Sequence, residues 1–536
     1  MGPPPPVTRL PETTYKYRKM PKVRDRSPVI RVGIMYRARQ VVFSAEKQAR
    51  LVRADGRVMA RLQHGDHWRV CLEAGTGNGH IYRLVAGSFQ ESARAKAHVH
   101  ALKRQGYDAF VKSIGRELKG PYKTINDNRM YRVYIDEVFW SRGDAEEGQK
   151  KIGGRFDTFI VEDHLLGTRK SMTLERVGTD YQIHSNQPVY IEGSSVWIHD
   201  VGVGNGYHWE SRETRQYPET MVFDWDSQNM LAVINELPVE TYLTGVLPSE
   251  MPHGFPMEAL KAQAVAARSE ALSKIGRVHL GEPFDLCADV DCQVYSGLSK
   301  IHGRTDAAVR KTRGLVLVHG DKICDAVYSA VCGGHTESAG ALWGGDDSGY
   351  LTGRFDGTAG YSRYHSLSRE SRVREWVRSR PDMHCNLSGA RLPEAMNYLQ
   401  KYFRWEVRYT QDELKSVLER KAGVSVGDIL HLVPLRRGVS GRITALKVVG
   451  TRGEKTIEKE LTIRKALSDN TLWSSCFDVE RSGPAEVPAT FVLKGAGFGH
   501  GVGMCQAGAA MMAFQRKKFN QILMFYYQGA RLRRLY

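Results

Sequence analysis

From Val29 onward, apolar and polar residues alternate in short runs broken by Gly and Asp: VIRVGIMY, RQVVFSA, ARLVRADGRVMARL and HWRVCLEAG. A period of two marks half-buried strands, so residues 29–79 read as a β-rich segment. The pattern changes over 80–165. HIYRLVAGSF (His80 to Phe89) predicts a strand, and SARAKAHVHALKRQG (Ser92 to Gly106) a helix stopped by its glycine. YDAFVKSIG and MYRVYIDEVFW (Met130 to Trp140) read as strands, and DAEEGQKKIG as a second helix. The order β-α-β, twice, predicts a small α/β sandwich with a weak internal repeat. Strands return between 170 and 235.

The segment from Leu237 to Gly276 carries the candidate chemistry. Pro256 suits the first position of a helix. Leu260, Ala264, Ala267 and Ala271 then recur at helical spacing, predicting a small-residue face that packs closely on a sheet. Glu250 precedes this helix, in a turn flanked by proline. Its neighbours Met251, Phe255 and Met257 are apolar, and desolvation by such groups raises a carboxyl pKa. An acid held near neutrality can protonate a glycosidic oxygen. The plainer reading is that Glu250 caps the helix or pairs with Arg268.

Length and charge narrow the class. A chain of 536 residues, 41% of them apolar, is long enough for several domains with real cores. No run approaches the ~18 apolar residues that a membrane span needs, so no transmembrane segment is expected. Residues 1–28 read as a Pro-rich basic tail without an apolar stretch, so no signal peptide is visible. The formal net charge of +18 favours a polyanion as partner. No nucleic-acid-binding motif accompanies it, so nucleic acid is not expected, while membrane, teichoic acid and cell wall stay open on charge alone. Residues 346–430 read as polar, basic helices forming a solvated insert.

Two resemblances sharpen these readings. Residues 80–165 resemble the SPOR domain, a module of the bacterial envelope whose members bind glycan strands lacking stem peptides. LPVETYLTGVLPSEMP with EALKAQAVAARSEAL, FDLCADVDCQVYSG with AVYSAVCGGHTES, and GAGFGHGVGMCQAGAAMMA with ILMFYYQGARL together resemble the SpoIID/LytB family. That likeness covers roughly 170–536, with 29–79 as its first strands and the SPOR-like module inserted. It implies an α+β fold, a β-rich catalytic core and a place in the bacterial envelope, in the periplasm or on the extracellular face. It also implies a lytic transglycosylase that cuts the MurNAc–GlcNAc bond of denuded peptidoglycan strands and leaves 1,6-anhydro-MurNAc ends. A single carboxylic acid suffices, unlike the paired acids of ordinary glycosidases.

By this resemblance Glu250 is the general acid/base and Arg268 orients it or the substrate. Gln293, Tyr295, Gly499, His500, Gln506 and Tyr527 are candidate sugar contacts. No cofactor is expected for catalysis. Some family members bind zinc near the CQVY stretch. Here Cys287, Cys292, Cys332 and His335 are the candidate ligands of a structural zinc, although Asp291 stands where a histidine is expected. His279 is a further candidate, and a Cys287–Cys292 disulfide is the alternative. LytB-type relatives imply a second function, a non-catalytic amidase enhancer or envelope scaffold with a cell-wall amidase as partner.

Overall fold

A computed structural model describes residues 23–73, 79–119, 124–153, 156–165, 171–204, 210–344, 349–357, 364–389 and 392–536. Most of the predicted tail, residues 1–22, and parts of the predicted 346–430 insert lie outside these. The first long strand begins earlier than the alternation suggested, at Ser27.

Two antiparallel sheets form the N-terminal half. One runs Val23–Arg24, Ser27–Ala38, Leu231–Pro238, Thr220–Trp225, Val189–Glu192, Ala49–Arg53 and Val58–Leu62, with Leu286–Cys287 added in parallel beside Ser27–Ala38. The other runs Gln182–Ser185, Met172–Arg176, His67–Leu72, Gln40–Ala45, Val196–Val203 and Ser211–Tyr217. Their inward positions, alternating along each strand, share one core, and Phe43 meets Phe223 across it at 4.9 Å.

The sandwich predicted near 80–165 forms a four-stranded sheet: Phe159–Leu165, Gly79–Phe89, Met130–Ile135 and Ala109–Ile114. Helices Ser92–Arg104 and Arg142–Ile152 bury Ala95, Leu102, Ala145 and Ile152 against it. The flanking strands His67–Leu72 and Met172–Arg176 pair directly, with Leu72 opposite Met172. The module thus leaves and re-enters the chain at one hairpin. It is also tied to the helical part of the core. Asn128 Nδ2 donates to the carbonyls of Ser273 and Ile275 at 2.8 and 2.6 Å.

Helices Val239–Glu250 and Met257–Lys274 follow the sheets. The second was expected to bury one small-residue face. It is instead buried on nearly every side from Ala259 to Ser273, with Lys261 the one partly exposed position. Helices Val239–Glu250, Gly303–Lys311, Gln506–Phe514 and Phe519–Tyr526 surround it together with strand Leu315–His319. Its alanines permit this, because they let neighbouring backbones approach from every direction.

The predicted solvated insert is corrected in the same way. Helix Glu370–Arg378 and the 3₁₀ helix Glu394–Tyr402 turn Val373, Trp376, Met396 and Leu399 into the main core. Their charges face outward, which made the stretch read as solvated throughout. Trp405–Thr410, expected to be helical, is a strand paired with Thr490–Gly495. It opens a further core, shared by Leu414, Leu418, Ile443, Leu446, Phe477 and Leu493.

Candidate active site

Glu250 is the last residue of helix Val239–Glu250 rather than part of a turn before the next helix. Pro248 lies in that last turn, and Ser249 Oγ donates back to the Gly245 carbonyl at 3.0 Å. The helix can approach the following loop because Gly245 lacks a side chain. A Cβ there would lie 2.5 Å from the Tyr295 ring and 2.6 Å from the Gly297 carbonyl oxygen. That approach brings the Val294 N–H to Glu250 Oε1, at 3.0 Å.

The Glu250 carboxyl is half-buried. Burial pushes its pKa up to about 7; the Val294 N–H opposes this, the Glu270 carboxyl adds to it, and Lys274 and Lys300 pull it back. The negative end of its own helix dipole acts in the same direction as Glu270. Glu270 itself is raised by burial, although Lys274 Nζ lies 2.7 Å from its Oε1 and Gln293 Nε2 donates to its Oε2 at 2.8 Å. The Tyr328 hydroxyl is buried, has no hydrogen-bond partner among the described residues, and lies within electrostatic reach of Glu250 and Glu270. Tyr398, 43% exposed, also reaches Glu250 electrostatically from the 3₁₀ segment. Neither tyrosine stood out in the sequence, because both come from segments distant from the Glu250 motif.

The predicted contacts divide into two groups. Gln506 supports Glu250 directly, donating from Nε2 to its backbone carbonyl at 3.1 Å and to Gln263 Oε1 at 3.3 Å. Its amide is thus engaged with protein. Gly499 has φ +96, and a Cβ there would lie 3.0 Å from that of Ser329. His500 Nδ1 accepts the Val502 N–H at 3.0 Å, and its ring lies 5.3 Å from that of Trp343, which is 55% exposed. Burial and the charges of Arg442 and Arg464 push the His500 pKa down to about 3, so the ring is neutral at ordinary pH.

Gln293, Tyr295 and Tyr527 lie in the interior instead. Gln293 joins Glu270 to Tyr242 and the Ala267 carbonyl. The Tyr295 hydroxyl donates to Asn235 Oδ1 at 2.8 Å, and that of Tyr527 to the Val327 carbonyl at 2.8 Å. Arg268 is likewise not the partner of Glu250. Its guanidinium grips Glu240 with two bonds of 2.9 Å, from Nε and Nη2, and is fully buried. Burial alone would raise the Glu240 pKa, but Arg268, the Tyr536 hydroxyl and the Gly314 N–H outweigh it and hold the carboxylate below its usual range.

The four predicted metal ligands do not meet. Cys287 and Cys292 gather with His279, whose Nε2 lies 3.3 Å from Cys292 Sγ. The hydrogen bond from Cys292 lowers the Cys287 pKa to about 5, while Cys292 is raised. Cys332 belongs to a separate cluster with Asp356, Cys385 and Cys505. His335 lies apart from both, its ring nitrogens against the carbonyls of Thr336 and His365 at 2.7 and 3.0 Å. His279, Cys287 and Cys292 can hold a metal through two sulfurs and a nitrogen. They would brace the loop that carries Val294.

No helix among the described residues is long and apolar enough to cross a membrane. The family described as Stage II sporulation protein matches residues 227–319, the SPOR domain matches 82–162, and a domain of unknown function, DUF8618, matches 337–503. An uncharacterized protein of Brachyspira hyodysenteriae is 32% identical, over 77% of this chain and 87% of that protein. The amidase enhancer of Bacillus subtilis is 27% identical, over 54% of this chain and 40% of that protein. Stage II sporulation protein D of Bacillus subtilis is 26% identical, over 56% of this chain and 75% of that protein. The Glu250 motif, its supporting loops and these matches agree: the chain belongs to the stage II sporulation protein D (SpoIID) family and carries a SPOR domain.

Proposed function

We propose that this protein is a peptidoglycan lytic transglycosylase of the bacterial cell envelope, acting on denuded glycan strands, with Glu250 as its acid and base. The observation that carries the reading is a half-buried carboxyl held near neutrality, with one oxygen fixed by Val294. Protonated Glu250 gives its proton to the glycosidic oxygen as the MurNAc C1–O bond breaks. The resulting carboxylate takes the proton of the MurNAc C6 hydroxyl. O6 then bonds to C1, closing the 1,6-anhydro ring and restoring the acid. The Val294 N–H supports the carboxylate stage of this cycle. The SPOR domain delivers the strand, and the basic surface suits anionic wall polymers. Arg268, in this reading, positions helix Val239–Glu250 through Glu240 and does not touch substrate.

A cell-wall amidase is the partner in the second reading, favoured by the likeness to the amidase enhancer. There the chain binds glycan without cutting it, as an enhancer or scaffold. Mass spectrometry of denuded strands incubated with the protein tests the first reading. Anhydro ends support it, reducing ends mean that water attacks instead, and intact strands favour the second reading.

A further inference from the structure

We propose that Cys332, Cys385, Cys505 and Asp356 form a tetrahedral single-ion site for zinc, separate from the His279 cluster. One donor atom of each lies within 4.8 Å of every other. Cys332 Sγ is 3.5 Å from Cys385 Sγ and 3.2 Å from Asp356 Oδ2. Donors around one zinc ion, with sulfur about 2.3 Å and carboxylate oxygen about 2.1 Å from the metal, stand roughly 3.6–3.8 Å apart. Small side-chain adjustments therefore convert the cluster into a coordination shell. Three sulfurs and one oxygen suit zinc and disfavour calcium or magnesium, which take oxygen ligands.

All four residues are buried, Asp356 and Cys505 completely. A buried carboxylate normally faces a cation, because burying an unpaired charge is costly. Among the described residues Asp356 has no lysine or arginine ion pair. Its partners are the Tyr526 hydroxyl at 2.7 Å from Oδ1, with the Cys385 N–H at 3.1 Å and the Cys332 thiol at 3.2 Å from Oδ2. Tyr526 thus holds Oδ1 while Oδ2 faces the sulfurs, as an outer partner orients a metal-binding carboxylate. Cys505 Sγ accepts the N–H groups of Cys332 and Gly508 at 3.2 and 3.4 Å, bonds that favour a thiolate. Three thiolates and a carboxylate leave surplus negative charge over one dication. Two buried arginines offset it: Arg442 donates to the Cys332 carbonyl at 3.3 Å, and Arg404, within electrostatic reach of Cys332 and Cys385, keeps Nη2 without a hydrogen-bond partner among the described residues.

The ligands come from four separated stretches of chain, so the ion would staple the DUF8618 region, which holds Asp356 and Cys385, to the segments on either side of it, which hold Cys332 and Cys505. Cys505 immediately precedes Gln506, whose amide supports the Glu250 carbonyl. The ion would therefore steady the acid's surroundings without contacting substrate.

Because the His279 cluster is a second place for zinc, the test uses the full chain carrying Cys287→Ser and Cys292→Ser. Native mass spectrometry after expression with zinc is expected to find one ion per chain. Exchange with cobalt(II) is expected to give sulfur-to-metal charge-transfer absorption. Cys385→Ser in the same background is expected to lose the ion. Asp356→Asn, which keeps every thiol, guards against misfolding of that variant and is expected to lose its ion to a chelator faster than its parent. A metal-free parent, an ion retained unchanged in both variants, or peptide mapping that finds Cys332 joined to Cys385 would overturn the proposal.

Discussion

Val294 donates its backbone N–H to Glu250 Oε1 at 3.0 Å, across the interface of helix Val239–Glu250 and the loop after Cys292. One bond cannot hold a carboxylate at its solution pKa in half-buried surroundings, so the acid stays near 7. The same displacement makes Glu250 a cost to folding at alkaline pH.

Glu250→Gln should therefore stabilise the protein increasingly as pH rises above 4.5, with the full effect reached above 7. The folded pKa is raised from an ordinary 4.5 to about 7. Stability from this group is full below 4.5 and is lost as pH rises through 7. The bare shift corresponds to at most about 3 kcal/mol, and solvent reaching the partly exposed residue reduces this to on the order of 1 kcal/mol. Thermal melts at pH 4 and pH 8 check it: the two proteins should coincide at pH 4, with the variant melting higher at pH 8.

His500 should act in the opposite window. Its folded pKa is lowered from 6.5 to about 3, so its contribution is present above 6.5 and fades as pH falls toward 3. His500→Gln should flatten the acid side of the stability profile, which urea titrations at pH 4 and 7 measure. The alkaline limb of any cleavage profile should remain, since it belongs to Glu250.

Arg268→Ala should unfold the protein rather than silence an intact site. It leaves Glu240 buried without its cation, and breaking such a pair costs about 3–5 kcal/mol. Replacing both partners, by Arg268→Met with Glu240→Leu, should be milder. Denaturant midpoints of the single and double variants decide. A fully stable Arg268→Ala protein that has lost cleavage would contradict the structural role.

Gly245→Ala tests the approach that aligns Glu250. The added methyl meets the Tyr295 ring and the Gly297 carbonyl, an overpacking worth about 1–3 kcal/mol. Circular dichroism melts should show the loss, and cleavage should fall further than stability does, because the helix end carries the acid.

Glycan capture is expected on the SPOR sheet face that the helices leave uncovered. Phe110 stacks on Tyr134 at 5.4 Å there, and Arg132 lies over the Phe159 ring at 5.7 Å. Arg132→Ala with Phe159→Ala should weaken pull-down by denuded strands roughly tenfold or more, as losing an aromatic and a charged contact implies. Unfolding temperature should be nearly unchanged, since Phe159 is 44% exposed.

Local signals were legible in the sequence, while long-range partnerships were not. Periodicity revealed the SPOR-like strands and helices, and the apolar neighbours of Glu250 anticipated the upward push on its pKa. The partner of Arg268 was hidden because Glu240 sits on the preceding helix and meets it only after both helices pack. The sulfur cluster was hidden for a similar reason: Cys332, Asp356, Cys385 and Cys505 are far apart in the chain, whereas Cys287 and Cys292 drew notice by spacing. Trp376 and Met396 were read as solvated because a narrow apolar stripe is masked by surrounding arginines and glutamates.

The most direct test compares wild type with Glu250→Gln on amidase-treated, stem-peptide-free glycan strands, with products analysed by mass spectrometry and binding measured by pull-down. The account predicts 1,6-anhydro-MurNAc ends from wild type alone, with equal binding by both proteins. Equal cleavage by the variant, or binding without cleavage by wild type, would contradict it.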